Sequence, residues 1–259
     1  MSDQTTTIIS KVWGMCGALR DDGVSYGDYL EQLTYLIFLK MSDEYAKPPY
    51  KRETGIPAGC GWSDMNTLKG AELEEKYKFI LETLGEQGGT LGKIFQGAVN
   101  KISNAAILYR IVQMIDRENW VSMSTDVKGE IYEGLLQKNA EDVKSGAGQY
   151  FTPRVLIDVM TRLMKPQPGE RCNDPACGTF GFMIAAHQYV KEHTDDFYDL
   201  DSDMAKFERE EAFTGCELVH DTHRLALMNA MLHGIEGEIL LADTLSTAGK
   251  ALKGYDLVL

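Results

Sequence analysis

A chain of 259 residues with 44% hydrophobic and 25% charged side chains has room for one large domain or two modest ones of ordinary globular composition. Its net charge of -13 is uneven: residues 1–140 hold 19 acids against 15 bases, and residues 141–259 hold 20 against 11. Phosphate backbones are gripped by clustered Lys and Arg, so this balance excludes strong nucleic-acid binding by the chain alone.

The longest apolar stretch, residues 33–41, is broken by Thr34, Tyr35 and Lys40 and is too short to span a bilayer. The N-terminus has neither the basic start nor the apolar core of an export signal. Cys16, Cys60, Cys172, Cys177 and Cys216 include no Cys-x-x-Cys pair and read as idle thiols in a reducing cytoplasm.

Residues from about 8 to 140 read as helical. The segment 26–46 carries Leu30, Leu33, Tyr35, Leu36, Ile37, Leu39 and Met41, a content suited to a buried helix, and Pro48-Pro49 ends it. A loop rich in Gly, Pro and Cys follows through Gly61. Residues 72–84 form a second helical stretch, broken at Gly88-Gly89. Residues 98–117 and 126–138 complete a set of about four amphipathic helices. A small bundle with no chemistry of its own is the preferred reading.

From residue 146 strand and helix alternate, the pattern of an α/β fold with a parallel sheet. The expected division is a helical domain over 1–140 and an α/β domain over 141–259. Thr152 is placed for an N-cap and Pro153 for the first helical position, with Val155, Leu156, Val159, Met160 and Leu163 as one apolar face. Residues 166–169 end that helix. A short strand runs into Asp174, and residues 180–190 form the helix after a glycine turn. Residues 213–218, 238–241 and 255–259 read as further strands, with a helix over 220–233. The acidic stretch 192–211 reads as a solvated insertion in the crossover.

Two segments point to function. Asp174-Pro-Ala-Cys-Gly-Thr-Phe-Gly-Phe182 is a strand ending in a carboxylate, then a tight turn, then an apolar helix. Such a turn lets backbone N–H groups approach a ligand at a positive helix end. Gly178 and Gly181 bracket the bend at the place where doubly wound sheets bind nucleotides, although a purely structural turn has the same look. Neither the G-x-G-x-x-G nor the Walker pattern occurs, so a ligand without pyrophosphate fits better. Gly148-Gln149-Tyr150-Phe151-Thr152-Pro153-Arg154 is a helix start able to close over the same place.

Glu217 closes the second strand, 39 residues past Gly178, where a carboxylate accepts two hydrogen bonds from a ribose diol. Asp243, in Leu-Ala-Asp-Thr, either reaches a base edge or caps a helix. His220 and His223 lie three apart with no third ligand in sight, so no metal is expected. Met228 and Met231 read as core filler, and no Ser/His/Asp or Cys/His set stands out.

Those two segments, together with Glu217-Leu and Ala226-Leu-Met-Asn-Ala-Met-Leu-His-Gly234, resemble the modification subunit of type I restriction–modification systems. That family transfers a methyl group from S-adenosylmethionine to adenine N6 in DNA. The likeness covers roughly 146–259 by motif, and the helical first half fits the family's N-terminal domain in length and character. It implies a helical bundle followed by a truncated Rossmann-like methyltransferase sheet. It also implies that Gln149, Tyr150, Phe151, Thr152, Pro153 and Arg154 lie over the methionine end of the cofactor. Asp174, Gly178, Thr179, Phe180 and Gly181 would line the turn, Glu217 would bind the ribose, and Asp243 would sit by the adenine. The implied partners are DNA held through the complex, a specificity subunit, a restriction subunit and a second modification subunit, on whose surfaces the bundle would dock.

In that family the catalytic tetrapeptide, Asn-Pro-Pro and an aromatic, follows a strand like residues 255–259. Its Asn and a proline carbonyl accept hydrogen bonds from the target amine, and the aromatic stacks on the flipped base. This chain lacks the tetrapeptide, so none of its residues is assigned a catalytic role. A longer reading frame is expected, and the isolated chain is expected not to methylate DNA. Phe180 stands where the family carries a small residue, and its ring must point away from the cofactor. Cys172 and Asn173 are polar for a buried first strand. The rival readings are a non-catalytic chain that binds cofactor or partner, and a small-molecule methyltransferase, against which the segment 149–154 argues.

Overall fold

The computed structural model describes residues 12, 14, 15, 17, 26–51, 53–121 and 152–259. The expected helix at 126–138 and the candidates Gln149, Tyr150 and Phe151 lie outside the described residues. The chain divides into two compact units, Met1–Ser145 and Gly146–Leu259.

In the first unit, α1 (Tyr26–Ala46), α2 (Gly70–Gly85), α3 (Gly89–Phe95) and α4 (Ala105–Asp116) surround one core, with no strand among its described residues. Leu30, Leu33, Tyr35, Leu36 and Leu39 of α1 are buried around most of its circumference, which makes it the central helix. α4 buries Leu108, Ile111, Val112 and Ile115, the stripe spacing of a helix packed on one side. Buried Gln32 is bonded at both ends of its amide: its Nε2 donates to Val99 O, and its Oε1 accepts from Tyr77 Oη and the Lys101 N–H.

One expectation is extended and one corrected: the second helical stretch ends at Gly85, before Gly88-Gly89, as expected. Gly88-Gly89 does more than break a helix. Gly89, at φ +69°, opens α3, whose Phe95 ring stacks on Tyr35 with centroids 4.8 Å apart. The helix expected from 98 begins at Ala105, because Asn104 caps it by accepting from the Ala106 and Ile107 N–H groups.

The second unit is a four-stranded parallel sheet in the order β3-β2-β1-β4, from β1 (Cys172–Asp174), β2 (Phe213–Glu217), β3 (Ile239–Leu241) and β4 (Leu257–Val258). Helices α5 (Arg154–Met164), α6 (Gly181–Glu192), α7 (Ser202–Glu210) and α8 (His220–Leu232) complete it. The strand order reverses between β1 and β4, the switch point outside which such sheets place ligands. Parallel register sets Asn173 beside Thr214, and Asn173 Nδ2 donates to Thr214 Oγ1 at 2.8 Å. Thr214 Oγ1 in turn donates to Cys172 O at 3.1 Å, so the Asn173 amide and the Thr214 hydroxyl bond to each other inside the sheet.

The helix after residue 153 differs from its expectation. Pro153 is the cap residue, Thr152 makes no capping bond, and α5 starts at Arg154. Its apolar stripe also faces outward: Val155 and Leu163 are each 75% exposed, whereas Ile157 and Thr161 are buried. The helical period identifies a stripe but not what the stripe meets. Here the docking side is set by Ile157, whose Cδ1 lies 3.0 Å from where a Cβ on Gly181 would stand. The acidic crossover is also more than a solvated insertion. It contains α7, capped by Asp201 on the Met204 N–H, and its buried Glu208 accepts the Gly169 N–H at 2.7 Å. No helix among the described residues is long and apolar enough to cross a membrane.

A candidate cofactor site at the glycine bend

The bend from Asp174 to Gly181 leaves the carboxyl end of β1 and enters α6. Asp174 is buried, and its Oδ1 accepts the Ala176 N–H at 3.0 Å. Burial pushes this carboxyl up to about 6; the Ala176 bond opposes the shift and nearby Glu217 adds to it. The Cys177 N–H donates to Cys216 O at 2.9 Å, tying the bend to β2. Gly178 takes φ +51°, a left-handed conformation that a residue without Cβ adopts freely.

Glu217, half-buried at the end of β2, turns back toward the bend. Its Oε2 accepts the Gly178 N–H at 3.0 Å and its Oε1 accepts the Val219 N–H at 2.8 Å. A carboxylate offers about four acceptor positions, so the remaining lone pairs are still available. Among the described residues, the Thr179 N–H donates to nothing, and Gly181 starts α6, where first-turn amides have no intrahelical acceptor.

Phe180 is the unusual member. It is a non-glycine residue at φ +72°, ψ +21°, and its side chain is fully buried. The ring runs inward against β2: a Cβ on Gly215 would stand 3.0 Å from Phe180 Cε2 and equally near Cys177 Cβ and Sγ. Gly215 therefore supplies the space for a bulky residue at 180.

The structure brings together Asp174, Gly178, Thr179, Phe180, Gly181 and Glu217. It leads Thr152, Pro153 and Arg154 into α5, which packs on α6 at Gly181. Arg154 Nε pairs with Asp158 Oδ1 at 3.1 Å. Asp243 is exposed, and its Oδ1 accepts the Leu245 N–H at 2.9 Å in a local turn, but it caps no helix, because the next one begins at Ala248 with Thr247 as its cap residue. His223 is buried, with Nε2 2.8 Å from Ile239 O. No group of three metal-ligating side chains occurs among the described residues.

Two residues assigned no role from the sequence also tie the bend. Thr244 Oγ1 donates to Pro175 O, and Asn229 Nδ2 donates to Thr179 O at 2.8 Å. A lone amide in the apolar run Ala226-Leu-Met-Asn-Ala-Met-Leu was the available signal for Asn229.

Residues 123–259, more than half the chain, match the family model described as N-6 DNA Methylase. The chain belongs to the N-6 DNA methylase family. Residues 8–138 match the HsdM N-terminal domain. The methylase subunit of the type I restriction enzyme StySPI from Salmonella potsdam is 42% identical over 97% of this chain and 49% of its own length. The corresponding EcoKI subunit from Escherichia coli K12 is 43% identical with the same coverage. A modification subunit of a putative type I restriction enzyme from Vibrio vulnificus YJ016 shares the fold, with TM-score 0.74 and 23% identity over 99% of this chain and 60% of its own. This methylase-family chain thus spans about half the length of the relatives it matches.

Proposed function

We propose that the chain is the cofactor-holding part of an adenine-N6-specific DNA methyltransferase, the modification subunit of a type I restriction–modification complex, and that its cofactor is S-adenosylmethionine. The observation that carries this reading is Glu217 facing a glycine bend whose Thr179 N–H has no acceptor among the described residues. Diol-binding acid and amide-rich bend suit a nucleoside that carries no pyrophosphate. The buried Asp174 suits a cationic ligand, because a positive charge nearby favours its ionised form.

Bound there, S-adenosylmethionine would supply an electrophilic methyl group. The chain's own residues would do the rest: Glu217 orients the ribose, and Thr179 and Gly181 present N–H groups. Thr152, Pro153 and Arg154, with Gln149, Tyr150 and Phe151, cover the amino-acid end, and Asp243 stands by the adenine. A chain with net charge -13 leaves DNA recognition to partners, in keeping with a specificity subunit, a restriction subunit and a second modification subunit. The exposed apolar stripe of α5 supports partner contact.

Photo-crosslinking of labelled S-adenosylmethionine, mapped by mass spectrometry, tests the assignment. Label is expected within residues 149–154 and 174–181 and is expected to be displaced by S-adenosylhomocysteine but not by NAD. Label spread over the surface, or displaced equally by NAD, would contradict it.

A further inference from the structure

The peptide joining Thr179 to Phe180 is held at both ends. Its N–H donates to Cys177 O at 2.7 Å, a bond within the bend, and its carbonyl accepts from Asn229 Nδ2 at 2.8 Å, a bond that spans 50 residues. Asn229 sits in the middle of α8, is 1% exposed, and its buried Oδ1 has no hydrogen-bond partner among the described residues. The oxygen of a buried amide is thus unmet, which costs stability that an apolar residue would not cost. Space filling does not require an amide there. The bond to Thr179 does.

That peptide governs the bend's chemistry. It immediately precedes Phe180, which holds a left-handed backbone disfavoured for a residue with a Cβ. Rotating the peptide would break the Phe180 N–H bond to Cys177 O and turn the Thr179 carbonyl toward the ligand side, where it would stand among the amides of the bend. Resting on the cofactor reading above, we infer that Asn229 is a positioning residue of the methyl-donor site. It pins the Thr179 carbonyl inward, so that the bend keeps its amides, and not a carbonyl, facing the cofactor. It touches no cofactor itself and acts through Thr179.

Equilibrium dialysis of S-adenosylmethionine against the 259-residue chain, Asn229→Ala and Asn229→Asp, between pH 5 and pH 8, tests this. Asn229→Ala is expected to weaken binding about tenfold, the scale of one lost buried hydrogen bond. Protonated aspartic acid can donate to Thr179 O and ionised aspartate repels it. The affinity of Asn229→Asp relative to wild type should therefore be near unity in acid and fall about tenfold or more on going to pH 8. A residue that only fills space gives no such pH-dependent ratio. Folded variants that bind as the wild type does at every pH would overturn the positioning role alone. Failure of the wild type to bind at all would overturn the cofactor reading beneath it. Hydrogen exchange at the Asn229 side-chain NH2 of the wild type, read by NMR, is independent of how the variants fold. Protection is expected, and rapid exchange would refute the pin.

Discussion

Asp116 in the helical unit and Asp174 in the sheet unit are both aspartates at the end of an element, and their protonation is biased in opposite directions. At Asp116 a single Oδ1 receives Trp62 Nε1 at 2.6 Å, Lys40 Nζ at 3.2 Å and Asn66 Nδ2 at 3.4 Å. Burial alone would raise this carboxyl, but the Trp62, Lys40 and Asn66 donors outweigh it and hold the group below its ordinary value. Asp174 has the Ala176 N–H and an acidic neighbour, and burial pushes it up to about 6. The helical unit uses its acid to tie its own core. The sheet unit leaves its acid under-served beside a bend whose Thr179 N–H also lacks an acceptor among the described residues, the condition expected of a group kept for a ligand.

The sharpest way to probe the sheet unit is Phe180, where a buried ring and a strained backbone coincide. Phe180→Ala is expected to cost about 3–5 kcal/mol in urea unfolding, from the cavity left against Gly215. Phe180→Gly is expected to cost about 1 kcal/mol less, because glycine removes the left-handed penalty. If alanine proved no worse than glycine, the backbone at 180 would not be strained.

The pH dependence of the same unit is the next largest effect. The folded-state pKa of Asp174 lies above its unfolded value, so between about pH 4 and pH 6 the folded state holds the extra proton and stability falls as pH rises. Asp174→Asn keeps the acceptor for the Ala176 N–H and is expected to remove that fall, gaining roughly 3 kcal/mol at pH 7. An unchanged slope between pH 4 and pH 6 would show that another group carries it. Asp116→Ala is expected to act oppositely, destabilising the helical unit by about 2 kcal/mol as Trp62, Lys40 and Asn66 lose their acceptor. Uptake of S-adenosylmethionine should be unaffected, and a weakened uptake would break the division of labour between the units. The smallest effect belongs to the exposed stripe of α5. Leu163→Ala should change stability by less than about 0.5 kcal/mol in this chain, whereas a loss of 2 kcal/mol or more would mean the stripe is buried in solution.

Much of this was legible in the sequence, for identifiable reasons. Asp174, the bend and Glu217 sit at strand ends whose position follows from the βαβ pattern, so their convergence was readable from spacing. Three features were not. The outward face of α5 depends on which neighbour the helix meets, and Ile157 rather than the stripe makes that contact. The room for Phe180 lies at Gly215, 35 positions away in the chain and invisible to local pattern. Asn229 and Thr244 reach the bend only because the parallel register of β2 and β3 carries α8 and the segment after β3 to it.

The central claim is that Glu217 and the glycine bend hold the methyl donor. Isothermal calorimetry of S-adenosylmethionine into the 259-residue chain and into Glu217→Ala tests it most directly. One saturable site in the wild type, weakened about a hundredfold or more in the variant by loss of the diol acceptor and of the bonds to Gly178 and Val219, is the expected result. No heat from the wild type at millimolar ligand, or equal affinity in a folded Glu217→Ala, would contradict it.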